Sequence, residues 1–142
     1  MTDPLLIVVP RGHRLATLGA AALSDLAGEP ILGGAPDSSW TSALVAAFRR
    51  AGVEARLEPG FRPGDTAALQ ALVASGQGIA FLPRLAVESL HPALVARPVA
   101  LAPERQVEVT FVDSVAPPSR TAMLEVLHEL TARLPPGGLR AA

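Results

Sequence analysis

The sequence predicts an α/β fold in which a sheet is covered by helices on both faces. Residues 5–9, Leu-Leu-Ile-Val-Val, form an unbroken run of β-favouring apolar side chains, which is typical of a strand buried on both faces. Residues 69–82 combine an apolar helical stripe, the turn Ser-Gly-Gln-Gly and a second apolar strand. Short strands alternate with helical segments along most of the chain, and this order favours a sheet between two helical layers.

Composition restricts the functional classes to which the chain can belong. Of its 142 residues, 49% are hydrophobic and 18% are charged, as in a globular protein. All 12 basic residues are arginine and 13 residues are acidic, so direct nucleic-acid binding by this chain is not expected. The absence of cysteine excludes disulfides and thiolate metal ligands. No segment reaches the roughly 18 consecutive apolar residues of a membrane span, and we expect a soluble, cytoplasmic protein without membrane contact.

The first quarter of the chain reads as a strand, two turns and a second strand. The strand over residues 5–9 is followed by the polar turn Arg11-Gly12-His13-Arg14. A short helical turn begins at Ser24. Residues 31–32 form a short strand, which leads into the polar loop of residues 33–37.

A helix over residues 39–51 and a half-buried strand over residues 53–61 come next. The apolar stripe of the helix consists of Trp40, Leu44, Val45 and Phe48. Asp37 or Ser38 can cap its first N–H groups, and Gly52 supplies its end. The strand is predicted because apolar and charged side chains alternate along it.

The second half of the chain contains two further helices. Asp65 is expected to cap a helix that leads into a strand over residues 79–82. A short helix over residues 84–90 and strands over residues 94–99 and 107–112 follow. A last helix begins at Ser119, and its apolar stripe consists of Met123, Leu127, Leu130 and Leu134. This stripe needs a cover, either from the rest of the chain or from a second copy.

Motifs of catalysis and metal binding are incomplete. His128-Glu129 resembles the start of a zinc-protease helix, but Ala132 stands where the second histidine is required. Gly76-Gln77-Gly78 follows a helix and precedes a strand, which is the reverse of a dinucleotide-binding turn. Ser38 lacks the flanking glycines of a nucleophile elbow. We therefore expect no enzymatic activity, no metal and no cofactor, while an enzyme remains an open alternative.

Two polar loops that lead into helix N-termini are the candidate ligand sites. One covers residues 33–40 and the other covers residues 62–66. Helix N-termini present N–H groups without intrahelical partners and a partial positive charge, which suits carboxylates or phosphates. Arg62 could add a charged, bidentate contact. The alternative for both loops is simple helix capping, by Asp37 and by Asp65.

Four blocks of the sequence, in this order, resemble the effector-binding domain of LysR-type transcriptional regulators. They are residues 4–16, 23–31, 69–83 and 94–99, so the resemblance covers nearly the whole chain. The most specific block is the third, LQALVASGQGIAFLP. Arg14 is a departure, because the family usually has His-Pro-Leu-Ala where this chain has His-Arg-Leu-Ala.

The resemblance implies a type 2 periplasmic-binding-protein-like fold, in which two α/β lobes are joined by two crossing strands and the effector lies between the lobes. Residues 10–104 would form one complete, Rossmann-like second lobe. Residues 1–9 and 105–135 would form the hinge strands and the remnant of the first lobe with its C-terminal helix. The crossing strands would be residues 5–9 and 107–112, and residues 136–142 would be a disordered tail. The family's winged helix-turn-helix and most of its first lobe would be missing.

The same resemblance implies that the chain senses a small organic, anionic effector. The contacts of the second lobe would be Gly34, Ser38, Ser39, Trp40, Arg62, Asp65 and Thr66. Ser38 and Ser39 would donate hydrogen bonds, and Trp40 would supply an apolar wall. Arg62 would pair with the anion.

The expected protein partner is either a second copy of the chain or a full-length regulator. Two other functions stay open. The chain could be an interaction module that forms mixed dimers with full-length regulators. It could also be a small-acid lyase or dehydratase on a binding-protein-like scaffold.

Overall fold

The computed structural model describes residues 2–34, 37–58, 65–110 and 118–133, in which six strands and three α-helices are present. The strands are β1 (Thr2–Pro10), β2 (Pro30–Leu32), β3 (Arg56–Glu58), β4 (Ile79–Pro83), β5 (Leu94–Pro98) and β6 (Glu104–Gln106). The α-helices are α1 (Ser39–Arg50), α2 (Thr66–Ala74) and α3 (Pro118–Ala132). Three 3-10 helices cover Arg14–Thr17, Leu23–Leu26 and Arg84–Ser89.

The strands form one mixed sheet. Five of them lie in the order β3-β2-β4-β1-β5, and β6 pairs with β1 outside this path. β2 is parallel to β3 and to β4, whereas β1 is antiparallel to β4 and β5. The α/β prediction is therefore confirmed.

Successive apolar side chains of β1 point to opposite faces of the sheet, and each face has its own core. Ile7 and Val9 belong to the core that includes Phe48 of α1. Val8 points the other way and belongs to the core that includes Leu69 of α2. The predicted burial of this strand on both faces is confirmed, because Ile7, Val8 and Val9 all have no exposed surface.

Other predicted elements are present with shifted bounds. The strand predicted over residues 53–61 is shorter, since β3 covers Arg56–Glu58 and residues 59–61 lie outside the described residues. The helix predicted over residues 84–90 is the 3-10 helix Arg84–Ser89. The proposed tail of residues 136–142 lies outside the described residues.

One predicted strand is wrong. Residues 107–112 alternate like a strand, but β6 forms at Glu104–Gln106 and pairs with residues 2–4 of β1. Residues 107–110 belong to no strand, and residues 111–112 lie outside the described part of the chain. Local alternation failed because a strand forms where a partner offers its free backbone groups, and those groups face residues 104–106.

The last helix, α3, has no buried residue among those described. Three of its apolar side chains, Met123, Val126 and Leu130, are 51%, 55% and 53% exposed. Of the predicted stripe, Leu127 is half-buried, whereas Met123 and Leu130 stay about half exposed and Leu134 lies outside the described residues, so the described part of the chain covers the stripe only in part. No helix in the described ranges is long and apolar enough to cross a membrane.

Candidate ligand-binding site

The carboxyl ends of β2 and β3 place two helix N-termini at one edge of the sheet. The two strands are parallel and in register, with Leu32 opposite Glu58. α1 follows β2 and α2 follows β3, and the two helices cover opposite faces. In open α/β sheets, ligands bind outside the carboxyl ends of the strands where the connections diverge to opposite faces. The described parts of the two predicted loops, residues 33–34, 37–40 and 65–66, follow these strand ends and lead into the two helices.

Gly33 and Gly34, which follow β2, lie close to the first turn of both helices. Gly33 has φ of +89°, and a Cβ atom at this position would lie 3.4 Å from Cδ2 of Leu69 in α2. Gly34 has φ of +93°, and a Cβ atom there would come within 2.5 Å of Oγ1 of Thr41 and of Cζ3 of Trp40 in α1. Glycine is required at Gly34 for its conformation and for this close approach. The loop backbone thus contacts the first turn of each helix.

Ser38 is the N-cap of α1, which decides between the two predicted caps. Its Oγ accepts a hydrogen bond of 3.1 Å from the backbone N–H of Thr41 and lies 2.8 Å from Oγ1 of Thr41. Thr41 is buried and was not predicted as part of the site. The signal that could have identified it is its position three residues after the cap, where a side chain can return to the cap residue.

Ser39 and Trp40 lie in the first turn of α1. Ser39 is exposed, whereas Trp40 is half-buried and packs against the core on the α1 side. The Trp40 ring therefore lies beside Gly34, and its role as an apolar wall for a ligand stays a prediction. The exposed Ser39 side chain is accessible to a ligand.

Asp65 and Thr66 lie at the start of α2. Oδ1 of Asp65 accepts a hydrogen bond of 3.0 Å from the backbone N–H of Ala68, so the predicted cap is confirmed. Thr66 is half-buried. Arg62, the predicted anion partner, lies outside the described residues.

Two histidines away from these helix N-termini have structural contacts. Nδ1 of His13 accepts a hydrogen bond of 3.3 Å from Leu15 N–H, and Nδ1 of His91 accepts one of 3.2 Å from Ala93 N–H. In the described ranges, no group of three His, Cys, Asp or Glu side chains is placed to hold a metal ion.

Comparison with known proteins identifies a family to which the sequence is similar. The family model described as "LysR substrate binding domain" matches residues 1–132. No curated protein sequence matches the chain.

Solved structures share the fold at low sequence identity. The Synechocystis PCC6803 CcmR regulatory domain in complex with 2-PG matches with a TM-score of 0.73 and 19% identity, over 95% of this chain and 66% of that chain. The effector-binding domain of QuiR in complex with shikimate gives 0.65 and 15%, over 94% and 64%. The reduced form of OxyR gives 0.63 and 25%, over 96% and 63%. The chain thus spans slightly less than two thirds of these structures and has their type 2 periplasmic-binding-protein-like fold.

Proposed function

The chain belongs to the LysR substrate-binding domain family, and from this premise we propose that it binds a small organic anion at the carboxyl edge of β2 and β3. The family is an effector-binding module of transcription regulators. Two relatives with this fold hold small molecules, 2-PG and shikimate. The ligand of this chain is proposed to belong to the same broad class of small, oxygen-rich anions.

The contact of Gly33 and Gly34 with both helices is the observation that carries the proposal. It supports a site in which the N–H groups at the start of α1 face a ligand, because backbone without side chains leaves room for close approach. Within this site, Ser39 would donate a hydrogen bond and Trp40 would form the apolar wall. Ser38 would contribute through the cap that orients the turn. Arg62 would supply the positive charge, and Thr66 and the Asp65 cap would form the edge beside α2.

We propose a non-catalytic role in a cytoplasmic regulator. Ser38 and Asp65 are two described groups near the site that could act in acid–base or nucleophilic chemistry. Each is engaged with a backbone N–H of its own helix, which favours a positioning role over a chemical one. Residues 10–104 remain our proposal for the sensing lobe, with the ligand held at its edge.

A thermal-shift screen with small carboxylates and phosphorylated acids, including 2-PG and shikimate, tests the proposal. A ligand at about a hundred times its Kd stabilises by about 2.7 kcal/mol, which raises Tm by about 10 °C in a domain of this size. The shift should disappear in Arg62→Ala and persist in Arg56→Ala. Arg56 is a matched control because it loses the same charge from an exposed position on β3. A shift retained in both variants, or none for any compound in a cooperatively melting protein, would contradict the proposed site.

A second candidate function, an interaction module, is favoured by exposed apolar residues of α3. Met123, Val126 and Leu130 follow helical spacing and are about half exposed, so they form an apolar stripe without cover from the described residues. We propose that a second copy of the chain covers this stripe. A full-length regulator that covers the same stripe would be the mixed-dimer alternative.

Size-exclusion chromatography with light scattering tests this self-association. The wild-type chain should run as a dimer, and Val126→Lys with Leu130→Glu should run as a monomer. Glu129→Gln is the control, because it changes an exposed charge on the same helix and should leave the dimer intact. A monomeric wild-type chain would refute self-association, and capture of a purified full-length regulator by that monomer would support the mixed-dimer alternative.

A further inference from the structure

A two-stranded ribbon extends β1 beyond the strands that flank its middle. Residues 2–4 of β1 pair with β6, whereas the following residues of β1 pair with β4 and β5. Asp3 and Arg105 lie directly opposite each other in the ribbon. The Asp3 side chain has 0% of its surface exposed, while Arg105 keeps 46% exposed.

The carboxylate of Asp3 is held by two different segments. Its Oδ2 lies 2.5 Å from Nη2 of Arg105 on β6. Its Oδ1 accepts a hydrogen bond of 3.3 Å from the backbone N–H of Leu85, in the 3-10 helix that follows β4. A buried charge is stable only when such partners replace its water. Asp3 therefore joins β1, β6 and the end of β4 at one point.

The ribbon is separated from β5 by a turn. The backbone N–H of Ala102 donates to the carbonyl of Val99 across this turn, and Leu101 inside it has φ of +61°. Leucine rarely adopts this conformation. β6 thus does not continue the ladder of β5, and the ribbon depends on its pairing with β1 and on Asp3 for its direction.

We propose that the Asp3–Arg105 pair is a latch that fixes the direction in which the ribbon leaves the sheet. Arg105 is the half that can release, because its half-exposed guanidinium can exchange the carboxylate for water. Leu85 follows β4, β4 pairs with β2, and β2 ends at the Gly33 loop, so the latch and the candidate site share one strand ladder. Coupling between the latch and the candidate ligand site would rest on the proposed function, whereas the latch itself does not.

Hydrogen exchange of the full chain without ligand tests the latch. Asp3→Asn keeps the size of the side chain and an acceptor for Leu85 but removes the ion pair. In this variant and in Arg105→Gln, the amides of Glu104–Gln106 should exchange at least about tenfold faster, because each variant removes one charged contact. The amides of residues 79–82 in β4 should be unchanged. Arg56→Gln, which breaks the exposed pair with Glu58, is the control and should leave the ribbon unaffected.

The double variant separates a latch from general destabilisation. Asp3→Asn with Arg105→Gln should exchange in the ribbon no faster than the faster single variant, because each of them already removes the same pair. Unchanged ribbon exchange, equal acceleration in β4, or additive effects in the double variant would overturn the proposal. If Arg105→Gln fails to fold, Asp3→Asn alone decides, since it leaves no unpaired buried carboxylate. No ligand is present, so failure here is distinguishable from failure of the ligand site.

Discussion

The backbone of Gly34 lies directly against the indole ring of Trp40, since a Cβ atom on Gly34 would come within 2.5 Å of Cζ3 of that ring. The contact brings the end of β2 against the first turn of α1. Trp40 is the single tryptophan of the sequence, so its fluorescence reports on this turn. Stability and local structure at the candidate site can therefore be measured with one intrinsic probe.

Gly34→Ala should destabilise the chain by about 2–4 kcal/mol, because the left-handed backbone costs about 1–2 kcal/mol and overpacking costs a similar amount. Denaturant unfolding followed by Trp40 fluorescence measures the change. Gly12→Ala is the matched control, because no atom lies within 4 Å of a Cβ there. Its free energy of unfolding should stay within about 0.5 kcal/mol of the wild-type value. Equal losses in both variants would refute the close contact.

Ser38→Ala should cost about 1 kcal/mol, because Thr41 loses the cap on its backbone N–H and the partner of its buried hydroxyl. Ser39→Ala removes a neighbouring, exposed hydroxyl and should change stability by less than about 0.5 kcal/mol. If Ser39 donates to the ligand, Ser39→Ala should weaken ligand binding more than Ser38→Ala does. Thermal melts with and without the ligand give both quantities, and a stability loss in Ser39→Ala equal to that in Ser38→Ala would contradict the capping geometry.

Features with local signals could be predicted from the sequence. The Asp65 cap is confirmed because an acidic residue before an apolar helical stripe satisfies its N–H groups within one turn. The burial of β1 was predictable because every residue in its centre is apolar. The choice between Asp37 and Ser38 was not, since both residue types cap helices and only the geometry of the turn selects one.

Features that depend on distant partners could not be predicted. Asp3 and Arg105 are 102 residues apart, and neither belongs to a motif. The position of β6 depends on this same pairing, which is why the alternation at Val107 and Val109 was misleading. The approach of Gly34 to Trp40 also depends on how the end of β2 lies relative to α1, which no local pattern specifies.

Gln70→Leu should destabilise the chain by about 1–2 kcal/mol. Gln70 is 6% exposed, and its Oε1 accepts a hydrogen bond of 2.6 Å from the backbone N–H of His91. Leucine has a similar size but leaves this N–H, which donates in a part-buried hydrogen bond, without its acceptor, and an unsatisfied donor costs about 1–3 kcal/mol before the apolar gain is subtracted. Gln77→Leu, at an exposed turn position, is the control and should be neutral in the same urea titration. Stabilisation by Gln70→Leu would show that the bond to His91 is dispensable.

Leu101→Gly should stabilise the chain, although it removes a large apolar side chain. Leu101 is 87% exposed, so the substitution removes little buried surface. Its φ of +61° costs leucine about 1–2 kcal/mol, and glycine removes this cost while losing about 0.4–1 kcal/mol of unfolded-state entropy. The net gain should be about 0.5–1 kcal/mol, measured as a higher denaturant midpoint. Leu101→Ala keeps the strained backbone and removes the same exposed surface, so it should give no gain. If alanine stabilises as much as glycine, the exposed side chain rather than the backbone is the source of the cost.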